Sequence, residues 1–139
     1  FSGIDSSCQD LARIGYLMMR GGAWNGTSVV SEQFVADATS TSSKLNAAYG
    51  LLWWVNQPGH VITIDRAAGF PADKPPYEGQ LAPGAPADTF WALGYGNEYV
   101  AVIPSEGVVA VRMGSRPNTP EQLTFSSFTD GVLKALRTR

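Results

Sequence analysis

Apolar positions open the chain at helical spacing. Leu11, Ile14, Gly15 and Met18 fall at i, i+3, i+4 and i+7, the template of one helix face. Ala12, Tyr16, Leu17 and Met19 widen that stripe until little polar surface remains, so the helix is expected to be buried on most sides. Ser7 and Asp10 stand ahead of it as a capping box, and Gly21-Gly22 ends it, because glycine takes the left-handed cap conformation readily. Trp24-Asn25-Gly26-Thr27 reads as a tight turn. A short second helix after Ser31 is expected to bury Phe34, Val35 and Ala38.

Beyond a Ser/Thr-rich loop at 39–46, the pattern changes period. Tyr49 to Val55 is short, bulky and aromatic, which predicts a strand. Residues 56–88 hold six of the nine prolines and one strand-like patch, Val61 to Ile64; they read as a long Pro/Gly-rich loop, and loops of that length are binding loops, lids or disordered segments. Thr89 to Tyr95, Tyr99 to Ile103 and Val108 to Met113 then read as three strands, the last two joined at Pro104-Ser105-Glu106-Gly107. Tyr99, Ala101 and Ile103 alternate with Val100 and Val102. A strand that is apolar on both sides needs cover on both faces. Thr119-Pro120-Glu121-Gln122 predicts a helix start, with Phe125, Phe128, Val132 and Leu136 on its apolar face. The fold class is therefore α+β: an antiparallel three-strand meander with one or two further strands, covered by N-terminal helices and a C-terminal helix, in one region spanning 1–139.

Composition removes several classes. The 139 residues are 44% apolar and 16% charged, with one Cys and one His. One Cys forms no intramolecular disulfide, and one His with one Cys builds no His/Cys zinc site, although composition leaves a carboxylate-rich site open; no metal and no cofactor is expected. No run of ~18–20 apolar residues occurs, so no membrane span is expected. The opening Phe1-Ser2-Gly3-Ile4-Asp5 has neither a basic head nor an apolar run, and with no initiator Met it suggests a processed chain or a piece of a longer one. Net charge is −2, with five Lys/Arg against ten Asp/Glu in 1–111 and five against two in 112–139. Lys134, Arg137 and Arg139 close a helix, where cations suit the dipole. Without a basic run of 5–8 residues, no nucleic-acid partner is expected.

The candidate chemistry is sparse. There is no G-x-S-x-G elbow and no P-loop. His60 sits in the turn Asn56-Gln57-Pro58-Gly59-His60 and would need Ser and Asp brought to it by the fold to act as a triad base; a solvated turn histidine is the simpler reading. Cys8 lies in the first turn of a helix, which can lower a thiol pKa, but no His is near in sequence and a packing role is expected. No Ser-x-x-Lys exists: the three lysines follow Thr41, Pro71 and Gly131 at i−3. Tyr95-Gly96-Asn97 matches Tyr-x-Asn as a bare pattern, at a strand end.

Six stretches in order nevertheless resemble one family. Ser7-Cys8-Gln9-Asp10-Leu11-Ala12-Arg13-Ile14-Gly15 is followed by Gly21-Gly22-Ala23-Trp24-Asn25-Gly26 and Val29-Val30-Ser31. Then come Tyr49-Gly50-Leu51-Leu52-Trp53-Trp54, Ala92-Leu93-Gly94-Tyr95-Gly96-Asn97-Glu98-Tyr99, and Val102-Ile103-Pro104 with Val108-Val109-Ala110-Val111-Arg112. This succession resembles the C-terminal part of the serine β-lactamase-related hydrolases, which include class C β-lactamases, D-Ala-D-Ala peptidases, EstB-like esterases and 6-aminohexanoate-dimer hydrolases.

The resemblance implies a partial β-lactamase/transpeptidase-like fold. It also implies acyl transfer to an ester or amide through a serine ester, with the Ser-x-x-Lys nucleophile and Tyr-x-Asn base upstream of the matched region, so the chain alone is expected to be inactive. Tyr95 would take the Lys/His position of the third family motif, Gly96 the middle and Asn97 the Gly position, with the Glu98 amide as oxyanion donor. Tyr95 brings no positive charge for a substrate carboxylate, and Asn97 adds a side chain where Gly lets a backbone approach. Both departures favour neutral esters or amides over penicillin-like acids. Trp53, Trp54 and Trp91 are candidates to line the substrate pocket, although strand aromatics also serve as core. Two other readings fit the same residues: a non-catalytic ligand-binding relic, and a structural segment completed by an N-terminal partner segment or by homo-oligomerisation, which would cover bare sheet edges.

Overall fold

The computed structural model describes residues 5–64, 75–94, 98–114 and 124–138. In chain order the elements are α1 (Cys8–Met19), the ribbon β1 (Ala23–Trp24) and β2 (Thr27–Ser28), α2 (Glu32–Ala38), β3 (Trp54–Val55), β4 (Gly59–Val61), β5 (Tyr77–Gly79), β6 (Phe90–Leu93), β7 (Tyr99–Ile103), β8 (Val108–Arg112) and α3 (Phe125–Arg137). The fold is α+β. Four strands form an antiparallel sheet in the order β3-β6-β7-β8, with α1 on one face and α3 on the other.

The alternation of apolar residues in β7 explains the two layers. Ala101 and Ile103, with Trp91 from β6, pack toward Leu133 of α3. Val100 and Val102, with Phe90 and Val55, pack toward Met18 of α1 and Val35 and Ala38 of α2. Every residue of β7 is buried, as a strand covered on both faces requires. Gly15 sets how closely α1 approaches: a Cβ there would stand 2.6 Å from Val109 Cγ1 and 3.0 Å from Val100 Cγ1.

The two N-terminal helices are less buried than their composition suggests. In α1 only Gly15 and Met18 are buried, while Ile14 and Tyr16 are 46% and 44% exposed. Phe34 of α2, expected in the core, is 49% exposed beside the buried Val35 and Ala38. The physical reason is that each helix meets the sheet along one stripe, and among the described residues no further layer covers the outer side.

The capping box at α1 forms as the spacing predicts. Asp10 N–H donates to Ser7 Oγ at 3.2 Å, while Ser7 N–H and Oγ–H donate to the Asp10 carboxylate at 3.1 and 2.6 Å. These Ser7 bonds, side chain first and backbone second, hold the Asp10 carboxyl below its ordinary 3.8, with Arg13 at 2.7 Å adding to them. A carboxyl lowered in the folded state contributes stability that is complete above its unfolded value and is lost as pH falls through the folded value. The first turn of α1 is therefore expected to fray only below about pH 3.8. Amide exchange of residues 8–11 read against pH checks this; Asp10→Asn should remove the acid-dependent step.

The segment Tyr49 to Val55 is not one strand. Only Trp54–Val55 pairs in the sheet; the chain before it folds back through a Tyr49–Trp54 bridge, with Gly50 N–H donating to Trp53 O at 2.8 Å. Leu52 sits in that reversal at φ 66° and is 84% exposed. A left-handed non-glycine residue costs ~1–2 kcal/mol, more than the extra chain entropy glycine loses on folding. Leu52→Gly is thus expected to raise stability by about 0.5–1 kcal/mol in urea unfolding; a fall would mean that the leucine side chain holds a contact.

Within 56–88, where a long irregular loop was expected, the described residues contain the β4–β5 hairpin, registered Gly59 to Gly79 and Val61 to Tyr77. Two asparagines organise its surroundings. Asn46 donates through Nδ2 to Ile62 O and accepts at Oδ1 from Ile62 and Ala48 N–H, all at 3.1 Å. Asn56 is fully buried: its Nδ2 faces the carbonyls of Ala82, Ala85 and Pro86 at 2.9–3.1 Å, and its Oδ1 accepts Ala82 N–H at 2.8 Å. Thr124 caps the N-terminus of α3 and pairs reciprocally with Ser127; the expected start at Thr119 lies outside the described residues.

Candidate functional site

The strand expected to edge a site is β6, and the chain leaves it at Gly94. Gly94 N–H donates to Glu98 O at 2.8 Å, and Leu93 pairs with Tyr99 in the β6–β7 register. Gly94 and Glu98 therefore bracket the connection between the two strands. Glu98 is half-buried, and its carboxylate folds over Gly94, where a Cβ would stand 2.6 Å from Glu98 Oε2. Tyr95, Gly96 and Asn97, the other three candidates for the third family motif, lie outside the described residues.

The tryptophans divide between the faces of the sheet. Trp54 and Trp91 are direct cross-strand partners, both packed on the α3 side. Trp91 is 0% exposed; its Nε1 donates to Thr129 Oγ1 at 3.0 Å, Thr129 Oγ1 donates to Phe125 O at 2.7 Å, and the Phe125 ring meets it edge-on at 5.5 Å. Trp54 is half-buried, edge-on to Tyr49 at 4.9 Å. Trp53 packs on the opposite face against Phe90, ring centroids 5.2 Å apart, among Met18, Val35 and Val55. The structure brings Trp54 and Trp91 together and holds Trp53 away from them. Trp91 presents no surface to a ligand here; Trp54 presents part of its ring.

His60 lies on β4 opposite Glu78 of β5, with Nδ1 3.0 Å from Glu78 Oε1 and both side chains exposed. Among the described residues Glu78 is the one hydrogen-bond partner of the ring, so a carboxylate orients the imidazole but no hydroxyl reaches it. Cys8 is exposed. Among the described residues no hydroxyl or thiol hydrogen-bonds to a His or Lys nitrogen, the contact an activated nucleophile needs, and no three His, Cys, Asp or Glu side chains gather to hold a metal. No helix among them is long and apolar enough to cross a membrane. An open groove of about 410 Å³ runs over the outer side of α1, lined by Gln9, Ala12, Arg13, Tyr16 and Trp24.

The residues that sequence reasoning passed over are Asn46, Asn56 and Thr129. Each satisfies buried backbone or indole groups, and in the sequence each stood in a stretch read for another purpose: a polar loop, a turn and a helix. Comparison with protein-family models, with curated proteins and with solved structures finds no match to this chain.

Proposed function

We propose that this chain forms the C-terminal part of a serine hydrolase of the β-lactamase-related family, acting on a neutral ester or amide through an acyl-enzyme. The observation that carries the reading is the ordered succession of six family-like stretches, from Ser7–Gly15 to Val102–Pro104 with Val108–Arg112. The stretches around Trp54, Ala92 and Val102 fall on neighbouring strands of one sheet, flanked by the helix that carries the first stretch. On this reading β6 edges the active site, the β6–β7 connection supplies an oxyanion donor at Glu98, and the Ser-x-x-Lys and Tyr-x-Asn groups come from sequence outside the chain. The proposed chemistry divides as follows: a serine outside the chain attacks the carbonyl, a base outside the chain takes its proton, and the backbone near Glu98 donates to the oxyanion as charge develops, a contribution worth about 10²–10³ in rate. Collapse of the tetrahedral intermediate then breaks the bond to the alcohol or amine, which leaves with that proton, and the acyl group stays on the serine.

The direct test uses the 139-residue chain with nitrocefin and p-nitrophenyl esters. No turnover is expected. Turnover abolished by a serine-directed reagent would place the nucleophile inside the chain and overturn the division of labour.

A further inference from the structure

Residues 80–88 run from the end of β5 to the start of β6 without joining a strand. Pro83 and Pro86 have no N–H to give, and the backbone bonds made here are local. Ala85 N–H donates to Ala82 O at 3.0 Å, and Thr89 N–H donates to Pro86 O at 3.1 Å. Among the described residues no backbone–backbone hydrogen bond ties 80–88 to the rest of the fold. Side chains hold the segment instead. Asn56, just past β3, faces the carbonyls of Ala82, Ala85 and Pro86 and accepts the N–H of Ala82, while its own carbonyl accepts from Gln80 Nε2 at 3.0 Å. Gln57 Nε2 donates to Ala87 O at 3.1 Å, and the Asp88 carboxylate accepts from Ser105 N–H and Oγ–H at 2.8 and 3.0 Å. Beneath these pins Leu81, Ala82 and Ala85 share one apolar cluster with Val61, Trp91, Ile103 and Leu133. The closed arrangement carries a penalty at its C-terminal end. Thr89 Oγ1 is buried with no hydrogen-bond partner among the described residues, a cost that disappears once water reaches it.

We propose that residues 80–88 are a strap that opens as one unit while the sheet and α3 stay folded, with Asn56 as its latch. A segment held through a few side chains parts from the body at lower free energy than a strand paired along its length. Gly79, at φ 149°, stands at one end in a conformation that favours glycine and serves as the hinge. Opening withdraws Leu81, Ala82 and Ala85 from their cluster and uncovers the apolar floor beside Trp91. Every pin lies within the 139 residues, so the strap stands or falls apart from the hydrolase reading.

Amide exchange of the 139-residue chain in rising, sub-denaturing urea tests the strap. The Ala82 and Ala85 amides are expected to exchange through one opening, faster than the β7 amides. Their urea slope should lie well below that of β7, because a local opening exposes little surface. Gln57→Ala, which removes a bond to the strap at Ala87 alone, is expected to speed exchange at Ala82 and Ala85 by one common factor, about 2–10-fold. Asn56→Ala should raise the same two rates further, about 10²–10³-fold. A urea slope equal to that of β7 would mean that the strap yields only with the whole fold. An absent or unequal response of the two amides to Gln57→Ala would mean that 80–88 is not one unit, and a smaller response to Asn56→Ala than to Gln57→Ala would remove the latch. Each of these results overturns the proposal.

Discussion

Asn56→Ala is expected to destabilise the protein by about 3–5 kcal/mol, the largest effect of any single polar substitution in the described structure. The Asn56 side chain is completely buried and occupies both its acceptor and its donors on backbone groups of 82–86. Truncation leaves Ala82 N–H and neighbouring carbonyls without partners in a site closed to water, and each orphaned group costs ~1–3 kcal/mol. That loss is a large share of the ~5–15 kcal/mol a domain possesses. Urea unfolding measures it. Asn56→Asp sharpens the test by chemistry rather than size. The acceptor that serves Ala82 survives, but a carboxylate oxygen replaces the amide that faces three carbonyls. Burial and repulsion raise the folded pKa of such an aspartate, so the variant loses stability as pH rises from the unfolded value through the folded one. It is expected to be more stable in mild acid than at neutral pH. A flat pH profile would mean that the site admits water.

Trp91→Ala is expected to cost about 3–5 kcal/mol, the range for truncating a buried large aromatic. Trp91→Phe, which keeps a ring against Phe125 but loses the Nε1 bond to Thr129, should cost about 1–2 kcal/mol. The pair of variants separates two roles for the same side chain. A core tryptophan shows both losses in urea unfolding; a pocket wall would tolerate phenylalanine with no change in stability. The full burial of Trp91 and its bond to Thr129 argue for the first.

The sequence was most informative where a local rule and the tertiary contacts agree. The Ser7–Asp10 box, the Gly21-Gly22 stop and the β7–β8 hairpin are set within a few residues, and the alternation of Tyr99 to Ile103 was enough to require a helix on each face. It was least informative where a distant partner decides the outcome. Nothing near Leu52 announces a left-handed turn, because the reversal is imposed by the Tyr49–Trp54 bridge. Asn56 reads locally as the start of a turn, and only the return of residues 82–86, some thirty positions later, makes it a buried hub. Helical spacing puts Ile14 on the apolar stripe of α1 and Phe34 is expected in the core of α2, yet both are half exposed, because a pattern states what a residue favours and not how many layers the fold supplies. At the candidate site Glu98 and the tryptophans can be placed, Tyr95, Gly96 and Asn97 lie outside the described residues, and the proposed chemistry calls on a Ser-x-x-Lys sequence that the 139 residues do not contain.

The most direct measurement of that dependence is covalent labelling of the native gene product with a fluorophosphonate, followed by mass mapping of the labelled peptide. The proposed division of labour predicts a single label on the serine of a Ser-x-x-Lys sequence upstream of Phe1, with residues 1–139 unmodified. A label on any serine within the 139 residues, or no active-site label at all, would contradict it.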